Sequence, residues 1–124
     1  MEQAVCRSRG SAEAPQGIRN NRSRRGGGAI ESASGRIYVG VCVDGACTLG
    51  ICAERNAVFN MLTNGEDAIR RVVAVNWDGK VMPPCGACRE LMAQLMPEGY
   101  KNMEVMLDYE KNEIVTLEAL TPHW

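Results

Sequence analysis

The amino-acid sequence predicts an α/β sandwich. Segments rich in β-branched residues alternate with segments whose apolar residues recur every three or four positions. One of the former, Arg71-Val72-Val73-Ala74-Val75-Asn76-Trp77, is apolar nearly throughout, as a central strand buried on both faces requires. A chain of 124 residues is long enough for one domain with a modest core. It contains no run of about 18 apolar residues, so a helical membrane span is not expected.

The elements follow in order. Ala29-Ile30-Glu31 reads as a short strand and Ser32-Ala33-Ser34-Gly35 as its turn, with residues 36–43 returning as the hairpin partner. Asp44-Gly45 ends that strand, and a loop leads to Cys52. From Cys52 to Leu62, Ala53, Ala57, Val58, Met61 and Leu62 share a helical stripe, which Asn64-Gly65 closes. The apolar strand 71–77 turns at Asp78-Gly79. After Pro83-Pro84 a second helix runs from about Cys85 to Met96, with Leu91, Met92, Leu95 and Met96 on its apolar face. Residues 103–107 and 114–117 read as further strands. Phe59 and Trp77 are expected in the core or an interface, and the methionines on apolar surfaces.

Charge divides the chain. Residues 1–30 carry six arginines against Glu2 and Glu13, a net of +4, while the remainder carries a net of −5. A basic tail is compatible with nucleic acid. Three consecutive glycines (26–28), no aromatics and few large apolar residues instead predict a disordered or atypical segment over 1–27, with the folded domain over 28–124. Aromatic and basic residues do not interleave beyond the tail, so no stable nucleic-acid complex is expected. Arg7 and Arg9 precede no apolar segment, so no secretory signal is expected. Together with the clustered cysteines, this predicts a reducing, cytoplasmic location and metal binding rather than disulfides.

The chemistry concentrates in Cys52-Ala53-Glu54 and Pro84-Cys85-Gly86-Ala87-Cys88. Three thiolates, with an acid two residues after the first, are the parts of a catalytic Zn²⁺ site with one position left for water, one ion per chain. They match the Cys₃ form of the zinc-deaminase signature. Cys52 and Cys85 each begin a helix, where amide N–H groups favour the thiolate. Three thiolates make the zinc electron-rich. Arg55 or Arg89 can offset the excess charge, and Arg55, beside Glu54, is favoured. A structural knuckle closed by Cys42, Cys47 or His123 is the alternative. Glu54, placed to face an open ligand position, argues for catalysis as the carrier of protons from water to a pyrimidine ring and then to the departing amine. Cys6, Cys42 and Cys47 are expected to be free thiols.

Cys52-Ala53-Glu54-Arg55 and Pro84-Cys85-Gly86-Ala87-Cys88-Arg89-Glu90 resemble the two signatures of the small, all-cysteine cytidine deaminases, and the related blasticidin-S deaminases share most of the pattern. Ile37-Tyr38-Val39-Gly40 and Leu120-Thr121-Pro122 are similar to further family segments. The resemblance implies a three-layer α/β/α sandwich with a mixed central sheet, and deamination of free cytidine or deoxycytidine in pyrimidine salvage. It also implies a homotetramer, with a dimer as the alternative. A blasticidin-like nucleoside is the other substrate, and a zinc-stabilised scaffold without activity the other class of function. The resemblance places thiolate charge compensation on Arg55 and substrate contacts on Asp44, Cys42 and Ala53. The family's Asn-x-Glu sugar-reading pair corresponds here to Cys42-Val43-Asp44.

Overall fold

A tight hairpin opens the described part of the chain, which in the computed structural model comprises residues 26–43 and 49–124. Strand β1 (Gly27–Ser32) pairs antiparallel with β2 (Ile37–Val41), Ala29 opposite Val39. The turn between them closes through Gly35 N–H to the Ser32 carbonyl at 3.0 Å, with Gly35 at φ +87°. That positive φ is why glycine ends the turn. The chain continues through helix α1 (Ala53–Thr63), strand β3 (Ile69–Val75), the two-residue strand β4 (Val81–Met82) and helix α2 (Gly86–Leu95). A short 3₁₀ turn (Tyr100–Asn102) precedes β5 (Glu104–Asp108), β6 (Glu113–Thr116) and a four-residue helix α3 (Leu117–Leu120).

The strands form one mixed sheet in the order β2-β1-β3-β5-β6, with β4 also pairing with β3. The β3–β5 pair is parallel and the others antiparallel. A parallel neighbour requires a crossover, and α2 lies within it. The class is α/β with a mixed sheet, as expected. Residue alternation assigns the two faces. Ile30, Tyr38, Val72 and Val105 join Ala57, Val58 and Met61 of α1, Met92 and Ala93 of α2, and Leu117 of α3 in the main core. Ala29, Val73, Val75 and Met106 form a smaller cluster. Among the described residues, the three helices thus share one core.

Several elements differ from the sequence expectation. The apolar strand ends at Val75, and the Asn76 N–H turns back to the Lys80 carbonyl at 2.8 Å, so Trp77 is a turn residue, 70% exposed. Phe59 is 41% exposed, so neither aromatic belongs to this chain's own core. Leu62 is exposed despite lying on the expected stripe. Leu117 leaves the last strand to start α3, where Thr116 Oγ1 accepts the Ala119 N–H at 3.3 Å as an N-cap. β4 and α3 were too short to give a periodic signal. Gly27, assigned by composition to the tail, pairs with Val41 and Val75 as the first residue of β1. Gly26, also assigned to the tail, accepts the Cys42 N–H at 3.0 Å, while residues 1–25 and the loop 44–48 lie outside the described residues.

Candidate metal centre

The first turn of α1 is pressed onto the sheet by two missing side chains. Gly28 and Gly40 face each other across β1 and β2. A Cβ at Gly40 would stand 2.4 Å from the Ala57 nitrogen and 2.5 Å from the Ala53 carbonyl oxygen. One at Gly28 would stand 2.7 Å from the Ala53 carbonyl carbon and 2.8 Å from the Glu54 nitrogen. Real Cβ atoms do not approach so closely, so only glycine lets the helix backbone rest on the strands here. Asn56 and Asn60, one turn apart on α1, fix its bearing by donating to the Val41 and Val39 carbonyls at 3.0 and 3.2 Å.

Cys52 is the N-cap of α1 and Cys85 the N-cap of α2, both extended at ψ 150° and 168°, and neither side chain caps its own helix. An N-cap position usually spends its side chain on an orphan amide; these two leave their sulfurs available. Cys88 follows in the first turn of α2 and is fully buried. The Cys52–Cys85 and Cys85–Cys88 Sγ separations are 3.4 and 3.5 Å, and all three sulfurs lie within 4.8 Å of one another. Tetrahedral zinc with Zn–S bonds of about 2.3 Å requires sulfurs about 3.8 Å apart, so small adjustments admit the ion. Among the described residues no fourth His, Cys, Asp or Glu joins the group, His123 and Cys42 included. Cys47 lies outside the described residues.

The three thiols perturb one another. Burial pushes Cys52 up, reinforced by Cys85 and opposed by Arg55. Burial also acts upward on Cys85, but the Cys88 and Ala87 backbone amides and the two neighbouring sulfurs outweigh it, so its thiol falls below the ordinary 9.0. Burial drives Cys88 far up, and the Glu54 charge adds to that. A metal takes all three as thiolates, so metal binding releases protons. Arg55 Nη2 donates to Cys52 Sγ at 3.9 Å.

Glu54 lies in the first turn of α1, 7% exposed. Burial raises its pKa above 4.5, while its own backbone N–H and the Arg55 charge pull it down. Its influence on Cys88 puts a buried carboxylate in electrostatic contact with the thiol cluster. Three convergent sulfurs and a buried, protonatable carboxylate on the same helix start as Cys52 are the equipment for hydrolysis by an activated water.

No family model matches the sequence. A cytidine deaminase of Halalkalibacterium halodurans is 33% identical over 95 residues, covering 76% of this chain and 72% of that protein. The chain belongs to the cytidine deaminase family. A blasticidin-S deaminase of Bacillus cereus is 29% identical over 105 residues, with 77% and 73% covered. The crystal structure of the cytidine deaminase from Mycobacterium leprae superposes with a TM-score of 0.74 at 27% identity, covering 98% of this chain and 93% of that one.

Within this cytidine deaminase-family chain, the structure brings Cys52, Cys85, Cys88, Glu54 and Arg55 together. Ala53, between ligand and acid, is buried at 4% exposure. Cys42 is partly exposed beyond the end of β2, and Asp44 lies outside the described residues. Arg89 turns to backbone carbonyls instead. Its Nε donates to the Pro84 carbonyl at 2.8 Å and its Nη1 to the Leu120 carbonyl at 2.7 Å. Sequence reasoning missed the Gly28–Gly40 seat; glycines interrupting two neighbouring β-rich segments were its signal.

Proposed function

We propose that this protein is a zinc-dependent hydrolase that deaminates cytidine or deoxycytidine and releases ammonia. The observation that carries the reading is the buried Glu54 beside three convergent thiols. Cys52, Cys85 and Cys88 hold the ion. Zinc bound there supplies Lewis acidity that brings the pKa of a water toward neutrality. Glu54 would accept a proton from the attacking water as its oxygen bonds to C4, and deliver that proton to ring N3; it would then take the second proton from the new C4 hydroxyl and pass it to the amine, so that the C4–N bond breaks and ammonia leaves. The raised pKa of Glu54 suits a group that must both take and give a proton. Arg55 draws charge from the Cys52 thiolate. Ala53, Cys42 and Asp44 contact the nucleoside. An ultraviolet assay over free nucleosides with ammonia detection tests the reading, and inactivity on every nucleoside at full zinc occupancy overturns it.

A blasticidin-like nucleoside is the second substrate reading, favoured by the similarity to the Bacillus cereus deaminase and by Cys42-Val43-Asp44 at the sugar-reading position. The same assay decides between them by kcat/KM. No helix among the described residues is long and apolar enough to cross a membrane. The reading places the enzyme in the cytoplasm, in pyrimidine salvage, where thiols stay reduced. Exposed Phe59 and Leu62 on α1, with Trp77 and Met82, support assembly as a homotetramer, with a dimer as the alternative.

A further inference from the structure

We propose that Arg89 is a positioning residue that straps the C-terminal helix to the loop carrying Cys85, so that α3 helps set the geometry of the metal ligands. The inference rests on the zinc site proposed above. Arg89 follows Cys88 in the first turn of α2, and its two hydrogen bonds run in different directions along the chain. Nε reaches back to the carbonyl of Pro84, the buried residue immediately before Cys85. Nη1 reaches forward to the carbonyl of Leu120, the last residue of α3. One rigid guanidinium therefore ties both sides of the Cys85–Cys88 segment to an element 31 residues away.

The far anchor is itself fixed. Leu117 is fully buried in the core with Cys88 and Met92, and its N–H donates to the Met103 carbonyl at 2.8 Å. Thr121 Oγ1 closes the end of α3 on the Leu117 carbonyl at 2.7 Å. A cation at a helix C-terminus satisfies a carbonyl that the helix cannot. The planar fork of arginine holds two acceptors in a fixed relation, which the single ammonium of lysine does not. Both acceptors are backbone carbonyls, so Arg89 acts on the ligands through the loop, whereas Arg55 contacts a sulfur directly.

The test compares wild type, Arg89→Lys, a chain ending at Ala119, and the two changes combined. Zinc release to a chromogenic chelator and the d–d absorption of the cobalt(II)-substituted protein are measured for each. Loss of a group that orients metal ligands typically weakens metal binding about 10- to 100-fold. Arg89→Lys and the truncation should each speed release about tenfold and shift the cobalt bands, and the combination should do no more than either alone. Unchanged release and an unchanged cobalt spectrum in folded Arg89→Lys would overturn the proposal, as would additive effects. If the variants do not fold, the Arg89 Nε–H resonance of zinc-loaded wild type decides. Slow solvent exchange that becomes fast on metal removal supports the strap, and fast exchange in the loaded protein rejects it. A wild type that takes up no cobalt or zinc overturns the metal site itself, a result distinct from failure of the strap.

Discussion

At the scale of single residues, the difference between Glu54 and the sulfurs around it governs what the site can do. The carboxyl is held in its neutral form more strongly than an exposed glutamate, chiefly by burial. Glu54→Gln keeps the shape and loses the proton carrier. It should retain one zinc per chain while kcat falls about 10²- to 10⁴-fold, as for other lost general acid–base groups; near-normal turnover with zinc bound would reject the mechanism. Arg55→Ala leaves the Cys52 sulfur without its cationic neighbour. Because Arg55 favours the thiolate, its removal should raise the pH at which metal-free protein loses its thiol protons, readable as thiolate absorbance in a pH titration. Cys52, Cys85, Cys88 and Glu54 were legible in the sequence as candidate site residues because Cys52 and Glu54, and Cys85 and Cys88, are each spaced within one helical turn. The partners of Arg89 were not, since Leu120 lies 31 residues away and only folding brings it near.

At the scale of elements, α1 depends on the two glycines beneath it. Gly40→Ala places a methyl group 2.4 Å from the Ala57 nitrogen, against backbone that cannot rotate aside. Overpacking of this kind costs about 1–3 kcal/mol, and urea denaturation should show it as a lower midpoint at an unchanged slope. Since the displaced backbone carries Glu54, activity should fall more than the loss of folded protein explains. The opposite end of α1 has its own tie, in which Ser34 Oγ donates to Glu66 Oε1 and lowers that carboxyl below 4.5. A folded pKa below the unfolded one gives stability that is present above about pH 4.5 and is lost as pH falls through the folded value. Wild type should therefore exceed Glu66→Gln in stability at neutral pH, with the gap closing below pH 4.5, as acid-dependent thermal melts of both proteins would show. Helices α1 and α2 were legible to within a residue, because their apolar spacing and their Cys52 and Cys85 starts are local signals.

At the scale of the whole molecule, exposed apolar side chains and the metal both bear on assembly. Phe59 and Leu62 stand outside the core on a helix whose opposite face is buried. In the proposed homotetramer they are covered, and light scattering at several concentrations should give four times the 13.5 kDa chain mass, or twice that for the dimer. Phe59→Lys should shift the mass downward. A stable, fully active monomer would reject assembly through this face. The centre also joins α1 to α2 through Cys52, Cys85 and Cys88. Stripping the metal should lower Tm by a margin that grows with the logarithm of free zinc in the loaded sample.

The sequence by itself determined the α/β class, the hairpin, the two ligand-bearing helices and the identity of the chemical groups. Each of these is written in periodicity, turn residues or spacings of two and three positions. The tertiary structure decided what depends on distance between remote segments: that Gly28 and Gly40 form one seat, that Arg89 turns to Pro84 and Leu120 while Arg55 takes the sulfur, and that Phe59 and Trp77 face outward. An apolar or cationic residue has the same local signature whichever partner it meets, and packing alone selects the partner.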